Sequence, residues 1–342
     1  MSDERSSDGK HPGPLMRAVL VRAPGGPEQL AIEEVPAPQL VAGSLELEVA
    51  ACALNRADLL QRRGAYPPPP GASELLGLEC AGVVRAVRGD VGAFRVGDRV
   101  MALLAGGGYA QRVVVPHGHA LPAPDGMSFE AAAAIPEAFL TASEALFSSG
   151  ELAAGQWVLV HAAAGGVGSA AVQLARAVGA RVIACAGSAE KVDWLRRLGA
   201  DVVVNHRERD FAEACLEHTG GRGVDVVLDF VGASYAERHL RCVCEAGRWV
   251  VLGMLGGSDA RIDLARVLRR RLHIAGLVMR SRSSADKAAI VARFSQRFLG
   301  LFEQGVLSPQ IDRIYPLEEV RAAHERMERN ENVGKIVLRV GG

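Results

Sequence analysis

Aromatic residues make up only 5% of this chain, the net charge is zero, and no two cysteines stand at C-x-x-C spacing. Each shortage excludes something. Few aromatics argue against a surface that stacks on nucleic-acid bases. Lys plus Arg equal Asp plus Glu at 39 each, so charge gives no reason to expect nucleic acid or an anionic membrane as partner. No apolar run reaches a membrane span and no signal-peptide core is present, so neither is expected. The six cysteines are Cys52, Cys80, Cys185, Cys215, Cys242 and Cys244. They are scattered, several within apolar runs, as expected for reduced core residues of a cytoplasmic protein. Ala, Val, Leu and Gly dominate instead, as in an α/β enzyme with buried parallel strands. At 342 residues the chain has room for two domains.

The most informative stretch is Trp157 to Ser169, WVLVHAAAGGVGS. Trp157 to His161 reads as a short buried strand. Val167, Ala171, Leu174 and Val178 then keep helical spacing until Gly179. Between them lies a glycine turn in which Ala163 takes the place of the first glycine of G-x-G-x-x-G. Gly165 and Gly168 take the second and third. Strand, turn and helix together predict a dinucleotide site, with the backbone of Ala164, Gly165, Gly166, Val167 and Gly168 near the pyrophosphate.

The next strand, Arg181 to Cys185, decides which dinucleotide. An NAD site usually places Asp or Glu about 20 residues past the glycines. Here that count reaches Ser188, after Ala186 and Gly187, and no acid stands at the strand end. Gly187 and Ser188 leave room for a 2′-phosphate, with Lys191 one helical turn on and His206 after the third strand. The expected cofactor is NADPH. The competing readings are a solvated helix charge for Lys191 and a plain loop position for His206. Glu190 is an acid nearby, within the helix rather than at the strand tip.

Along the chain, strands are expected at Met16–Val21, Leu30–Val35, Leu45–Val49, Gly77–Val87, Arg99–Leu103 and Ala110–Val115. They predict a β-rich first domain, a partly open barrel. Ser128 should cap a helix through Ala134 that Ile135-Pro136 interrupts, with another helix over Leu140–Ser148. Strands and helices then alternate, predicting a doubly wound parallel sheet. Its later strands are Val202–Val204, Val224–Phe230, Arg248–Leu252 and Leu272–Gly276. Helices are expected near Phe211–His218, Tyr235–Cys244 and Ala285–Phe302. Short strands at Asp312–Tyr315 and Gly334–Val340 flank a helix near Leu317–Glu328. The domain reading is a polar, disordered extension over 1–14, a first domain over 15–135, a nucleotide-binding domain over 136–306, and a return to the first domain over 307–342.

Several stretches in one order carry a family resemblance: Asn55-Arg56-Ala57-Asp58, Gly77-Leu78-Glu79, Gly97-Asp98-Arg99-Val100, Ala163 to Gly168, Ile314 to Leu317, and Gly334-Lys335-Ile336-Val337-Leu338. From Met16 onward the chain resembles the zinc-independent quinone oxidoreductases, the zeta-crystallin group of the medium-chain dehydrogenase/reductase superfamily. It is most similar to the branch that holds the human quinone oxidoreductase induced by a tumour suppressor. The resemblance implies a GroES-like domain, a Rossmann domain with the cofactor in the cleft between them, and hydride transfer from NADPH to quinones, ortho-quinones among them. It also implies a homodimer formed through the Rossmann sheet edges. Zinc-dependent relatives carry Cys where Asn55 stands and His where Leu78 stands; leucine offers zinc nothing, so no metal is expected. His117 and His119 are expected to be exposed in a loop.

By the same resemblance, Asn55 faces nicotinamide and substrate, where its amide can donate to a quinone oxygen. The competing reading is a cap for the helix that starts at Arg56. Tyr66, before Pro67 to Pro70, either lines the substrate pocket or packs. Thr141 reaches the cofactor or caps a helix. Phe230, Val231, Gly253 and Met254 lie at strand ends that contact the cofactor. Arg280, Ser281 and Arg282 close over the nicotinamide or form a solvated basic loop. Lys335 sits near the cofactor or is an exposed strand charge. No convincing acid–base pair is visible, so the proton is expected from solvent, or weakly through a polar neighbour. Three functions remain open: an NADPH-dependent quinone reductase, an enone or alkenal reductase whose loops near Tyr66 and Tyr109 choose the substrate, and a low-turnover NADPH-binding redox sensor.

Overall fold

The computed structural model describes residues 14–341. The extension expected over 1–14 lies, apart from Pro14, outside the described residues. β1 (Leu15–Val21) and β2 (Leu30–Pro36) form an antiparallel pair. β3 (Ser44–Ala53), β4 (Glu79–Arg88), β5 (Arg99–Leu103), β6 (Arg112–Pro116) and β7 (Ala120–Pro122) build the first domain's sheet. In β3 the alternation is visible in burial: Leu45, Leu47 and Val49 are buried, while Glu46 is half-buried and Glu48 exposed.

The second sheet is fully parallel. β8 (Trp157–Val160), β9 (Arg181–Ala186), β10 (Val202–Asn205), β11 (Val224–Asp229), β12 (Val243–Val251) and β13 (His273–Gly276) lie in the order β10-β9-β8-β11-β12-β13. Val158, Leu159 and Val160 are completely buried, because helices cover both faces of a central parallel strand. The topology reverses between β8 and β9 on one side and β11 on the other, which puts the switch point at the end of β8.

The chain then returns. β14 (Ile311–Pro316) pairs with β15 (Lys335–Arg339), and β15 pairs antiparallel with β3, Leu338 opposite Cys52. The first sheet thus runs β14-β15-β3-β4-β5-β7, with β6 also on β3. Its core and the Rossmann core are separate apolar clusters, joined where Ala51, Ala53 and Val337 pack with the second.

Some elements differ from expectation. The helix capped by Ser128 ends at Ala133, before Ile135-Pro136 as expected, but Pro136 itself opens the next helix, Pro136–Ser143, ahead of the expected start at Leu140, and wide π-type turns continue it over Glu144–Ser149. The helix expected to reach Cys244 stops at Cys242, since Val243 already pairs with Val224 and starts β12. Helix Leu264–Arg270 ends in the basic run Arg269 to Arg271. Asp263 caps it, accepting from Ala265 N–H at 2.9 Å and Arg266 N–H at 3.2 Å. The long C-terminal helix is Ser284–Phe294, continued by a π-type turn over Ser295–Leu299 and a short turn Gly300–Glu303.

Candidate active site in the interdomain cleft

β8 delivers the chain to the carboxyl end of the parallel sheet, and helix Gly166–Ala177 starts after a turn through Gly165. The first helical bond runs from Ser169 N–H to Gly165 O at 2.9 Å. The N–H groups of Gly166, Val167 and Gly168 therefore precede the helical ladder, where a pyrophosphate meets donors and the positive end of the dipole. Gly168 admits no side chain. A Cβ there would lie 2.4 Å from Ala162 O and 2.6 Å from Ala163 Cα.

The C-terminal return closes onto this turn. Gly334 N–H donates to Ala164 O at 2.7 Å, and Gly165 bridges to Gly334. A Cβ on Gly166 would lie 2.4 Å from Lys335 Cδ, so the lysine stem lies against the glycine turn. The Lys335 ammonium donates to Leu54 O at 2.6 Å and to Asn55 Oδ1 at 2.7 Å, and pairs with Glu79 Oε1 at 2.6 Å. It is buried, which rules out an exposed strand charge. Asn55 Nδ2 donates to Glu79 Oε1 at 2.9 Å and to Ala53 O at 3.4 Å. Asn55 does start helix Arg56–Arg62, and its backbone N–H donates to Asp58 Oδ2 at 2.7 Å. Its amide is taken up by Lys335 and Glu79, so donation to a substrate oxygen requires exchanging one of these bonds.

Glu79 organises this cluster and was missed as a site residue. A charged residue inside the apolar run Leu76 to Ala81 was the available signal. Its second oxygen, Oε2, accepts from Glu137 N–H at 2.8 Å and so holds the start of helix Pro136–Ser143. Beside it, Asp58 accepts from Asn55 N–H, from Gly77 N–H at 3.2 Å and from Tyr109 Oη at 3.1 Å. Burial raises Asp58 to about 6, while these bonds and Lys335 oppose the rise. Arg62 Nη1 lies 3.0 Å from His324 Nδ1, and Tyr109 Oη lies 3.4 Å from His324 Nε2. Since Arg can only donate, Nδ1 is the acceptor and Nε2–H points to Tyr109. Tyr109 stands in the loop between β5 and β6, but its side chain is completely buried in the core.

Thr141 lies on helix Pro136–Ser143, which packs against Gly166–Ala177. It is 8% exposed and its Oγ1 has no hydrogen-bond partner. An orphaned buried hydroxyl beside the glycine-turn helix fits a cofactor that brings its own polar groups. At the end of β9, Ser188 caps helix Ala189–Leu198, accepting from Lys191 N–H at 3.4 Å. A Cβ on Gly187 would lie 2.9 Å from His206 Nε2 and 3.3 Å from Arg207 Nε. The structure thus brings Gly187, Ser188 and His206 together and adds the exposed Arg207, which sequence reading passed over. Burial lowers the His206 pKa, and Arg207 and Arg238 lower it further. Lys191 turns elsewhere: its ammonium donates to Asn330 O at 2.6 Å in the C-terminal segment.

The loops after β11 and β12 are bonded to each other. Leu255 N–H donates to Phe230 O at 3.2 Å and Gly256 N–H to Val231 O at 2.7 Å. Gly253 packs under Phe230 O, and Met254 is exposed. After β13, Arg280 is no solvated loop residue. It is 3% exposed and donates to Ala105 O at 2.8 Å, Gln61 Oε1 at 2.7 Å and Tyr66 O at 3.2 Å. Its guanidinium also stacks 5.4 Å from the Tyr66 ring centre, clamping the first domain's loop to the second. Ser281 is exposed and Arg282 Nε donates to Val278 O at 3.1 Å, so neither joins the clamp. His119 is buried and bonds Ser284 O at 3.0 Å, against the expectation of exposure. Among the described residues no group of three or more His, Cys, Asp or Glu is placed to hold a metal, and no helix is long and apolar enough to cross a membrane.

A barrel-like first domain, a Rossmann sheet with the order above and a cleft floored by the glycine turn define an oxidoreductase of the medium-chain dehydrogenase/reductase superfamily, and the chain belongs to it. The zinc-binding dehydrogenase family model matches residues 166–296, and the alcohol dehydrogenase GroES-like domain model matches 42–125. The chain is 33% identical to the human synaptic vesicle membrane protein VAT-1 homolog, over 95% of this chain and 86% of that one. It is 32% identical to the quinone oxidoreductase of Rattus norvegicus, over 95% and 98%. Among solved structures, CurK enoyl reductase superposes with a TM-score of 0.84 at 30% identity, covering 95% of this chain and 99% of that one. A mycobacterial protein complexed with NADPH gives 0.83 at 31% identity, covering 95% and 100%.

Proposed function

We infer that this protein is an NADPH-dependent quinone oxidoreductase, with ortho-quinones among its acceptors, working without zinc. The observation that carries the reading is the cleft itself: a glycine-turn helix start, an unpaired Thr141 hydroxyl beside it, and Asn55 and Leu78 at the positions where metal ligands would be needed. The similarity to a quinone oxidoreductase over nearly the whole of both chains supports it.

NADPH, when bound, supplies the hydride. The protein's own part is holding and excluding. The N–H groups of Gly166, Val167 and Gly168 bind the diphosphate; Gly187, Ser188, His206 and Arg207 form the 2′-phosphate end, with no acid to repel it. Phe230, Val231, Gly253 and Met254 border the cofactor. Arg280 ties Tyr66 to the Rossmann side and keeps water from the acceptor, with Ser281 and Arg282 on the same loop. A quinone is already electron-poor, so it needs orientation more than a Lewis acid.

An enone reductase is the second reading, favoured by the likeness to an enoyl reductase structure. The exposed edge strand β13 and its apolar flank support a homodimer: Leu264, Leu268, Ile274 and Val278 are all exposed. A cytoplasmic setting fits six free, buried cysteines. The test is NADPH and NADH oxidation with an ortho-quinone, a para-quinone and a simple enone, with and without chelator. Rapid, chelator-resistant oxidation of NADPH with quinone is expected. Preference for the enone would shift the substrate class, and loss of activity with chelator would end the zinc-free reading.

A further inference from the structure

Among the described residues, Glu137 carries a cleft carboxyl that the buried network leaves unused. Its backbone is fixed: Pro136 opens the helix, and Glu137 N–H donates to Glu79 Oε2 at 2.8 Å. Its side chain has no hydrogen-bond partner, unlike Asp58 and Glu79 beside it. Thr141 is four residues on, so the two side chains share one helix face a turn apart. That face therefore presents two polar groups without protein partners, an acid and the orphaned Thr141 hydroxyl.

The charges that reach Glu137 come from both domains. Glu79 on β4, Asp58 on helix Arg56–Arg62 and Lys335 on β15 belong to the first; Lys287 on helix Ser284–Phe294 belongs to the second. Tyr66 and Arg280, the two sides of the clamp, in turn feel its charge. A carboxyl set among charges of both domains lies where the two meet, half-buried.

The geometry points to Glu137 as the proton donor to the acceptor oxygen during reduction, a role that rests on reading the chain as a nicotinamide-dependent reductase. In this step the acceptor gains a hydride, and with it two electrons, while the Glu137 O–H bond breaks. The proton goes to the acceptor oxygen and the bonding pair stays on the carboxylate. NADPH leaves as NADP⁺, and one proton from solvent restores the acid. The environment suits this role. Burial raises Glu137 to about 8, the negative charges of Glu79 and Asp58 add to the rise, and Lys335 and Lys287 oppose it. The carboxyl is thus protonated at neutral pH, as a general acid must be. Solvent, the source expected from sequence, becomes the reservoir rather than the donor.

The experiment compares full-length wild type with Glu137→Gln, which keeps the shape and cannot act as an acid. kcat/KM is measured across pH with an enone and an ortho-quinone. Protonated-carboxyl infrared absorption is followed across the same range in protein without cofactor. The wild type should lose kcat/KM as pH rises through about 8. Glu137→Gln should be slower by roughly 10²-fold at neutral pH, lack that limb and bind NADPH unchanged. The wild-type infrared band should fade over the same pH range and be missing from the variant. Glu137→Asp, a second variant that retains an acid, should recover part of the rate with its alkaline limb displaced. An active wild type whose alkaline limb and infrared band persist in Glu137→Gln would overturn the Glu137 assignment alone. A wild type that oxidises NADPH with no acceptor would overturn the reductase reading, and the donor role with it.

Discussion

Lys335 Nζ lies 2.6 Å from Glu79 Oε1, with the lysine 4% and the glutamate 0% exposed. This pair binds the last strand to β4 and places the lysine stem over the glycine turn. A buried pair contributes little net stability, but removing one partner strands the other charge. Lys335→Met should therefore destabilise the fold by about 3–5 kcal/mol in urea unfolding. The double variant Lys335→Met with Glu79→Gln should recover part of that loss. A single variant as stable as wild type would show that the pair is not desolvated in solution.

Gly168→Ala should weaken dinucleotide binding before it harms the fold. The added Cβ meets backbone at 2.4 and 2.6 Å, and backbone cannot rotate away as a side chain can. The helix start must shift away from β8, moving the N–H groups that hold the pyrophosphate. NADPH fluorescence titration should show affinity lower by roughly tenfold or more, with the circular dichroism spectrum retained.

Stability should fall in acid. Burial holds His324 at about 3, with Arg62 adding to the effect, and holds His239 at about 3 as well. In the unfolded chain both return to about 6.5. Their contribution is therefore full above pH 6.5 and is lost as pH falls toward 3. Asp58, raised to about 6, acts in the opposite sense, its contribution being lost as pH rises through that value. Glu137, raised to about 8, acts with Asp58, but below about pH 4 both carboxyls are protonated folded and unfolded alike, and the histidines alone remain to lower stability. The thermal midpoint should drop over that range, and His324→Phe should flatten the drop.

Leu264 and Leu268, four residues apart on helix Leu264–Arg270, are 73% and 78% exposed, next to the free edge of β13. If this flank joins two copies, Leu268→Glu with Ile274→Lys should convert a dimer to a monomer in sedimentation velocity. Neither residue touches the cleft network, so turnover per chain should change little. A wild type that sediments as a monomer would sink the dimer.

The architecture was legible because it rests on local rules. Buried parallel strands need continuous apolar runs, and Val158 to Val160 supply one. Helix starts need side-chain acceptors, and Ser128 and Ser188 provide them, accepting from Ala131 and Lys191 N–H groups. The glycine turn is fixed by spacing along a few residues. The grouping of Gly187, Ser188 and His206 could be found from the end of one strand and the next.

The working part of the cleft was decided elsewhere. Asn55 was recognised as a candidate, but only the return of β15, 280 residues on, shows its amide held by Lys335. Glu79 and Glu137 meet through strands and helices that no periodicity connects. His119 reads as an exposed loop residue and is buried; for Arg280 and Lys335 the sequence leaves a place near the cofactor and an exposed charge both open, and burial removes the second. The physical reason is the same in each case. Apolar patterning and capping depend on neighbours within a few residues, so sequence alone determines them. The state of a buried polar group depends on which distant partner satisfies it, and only the tertiary structure chooses that partner.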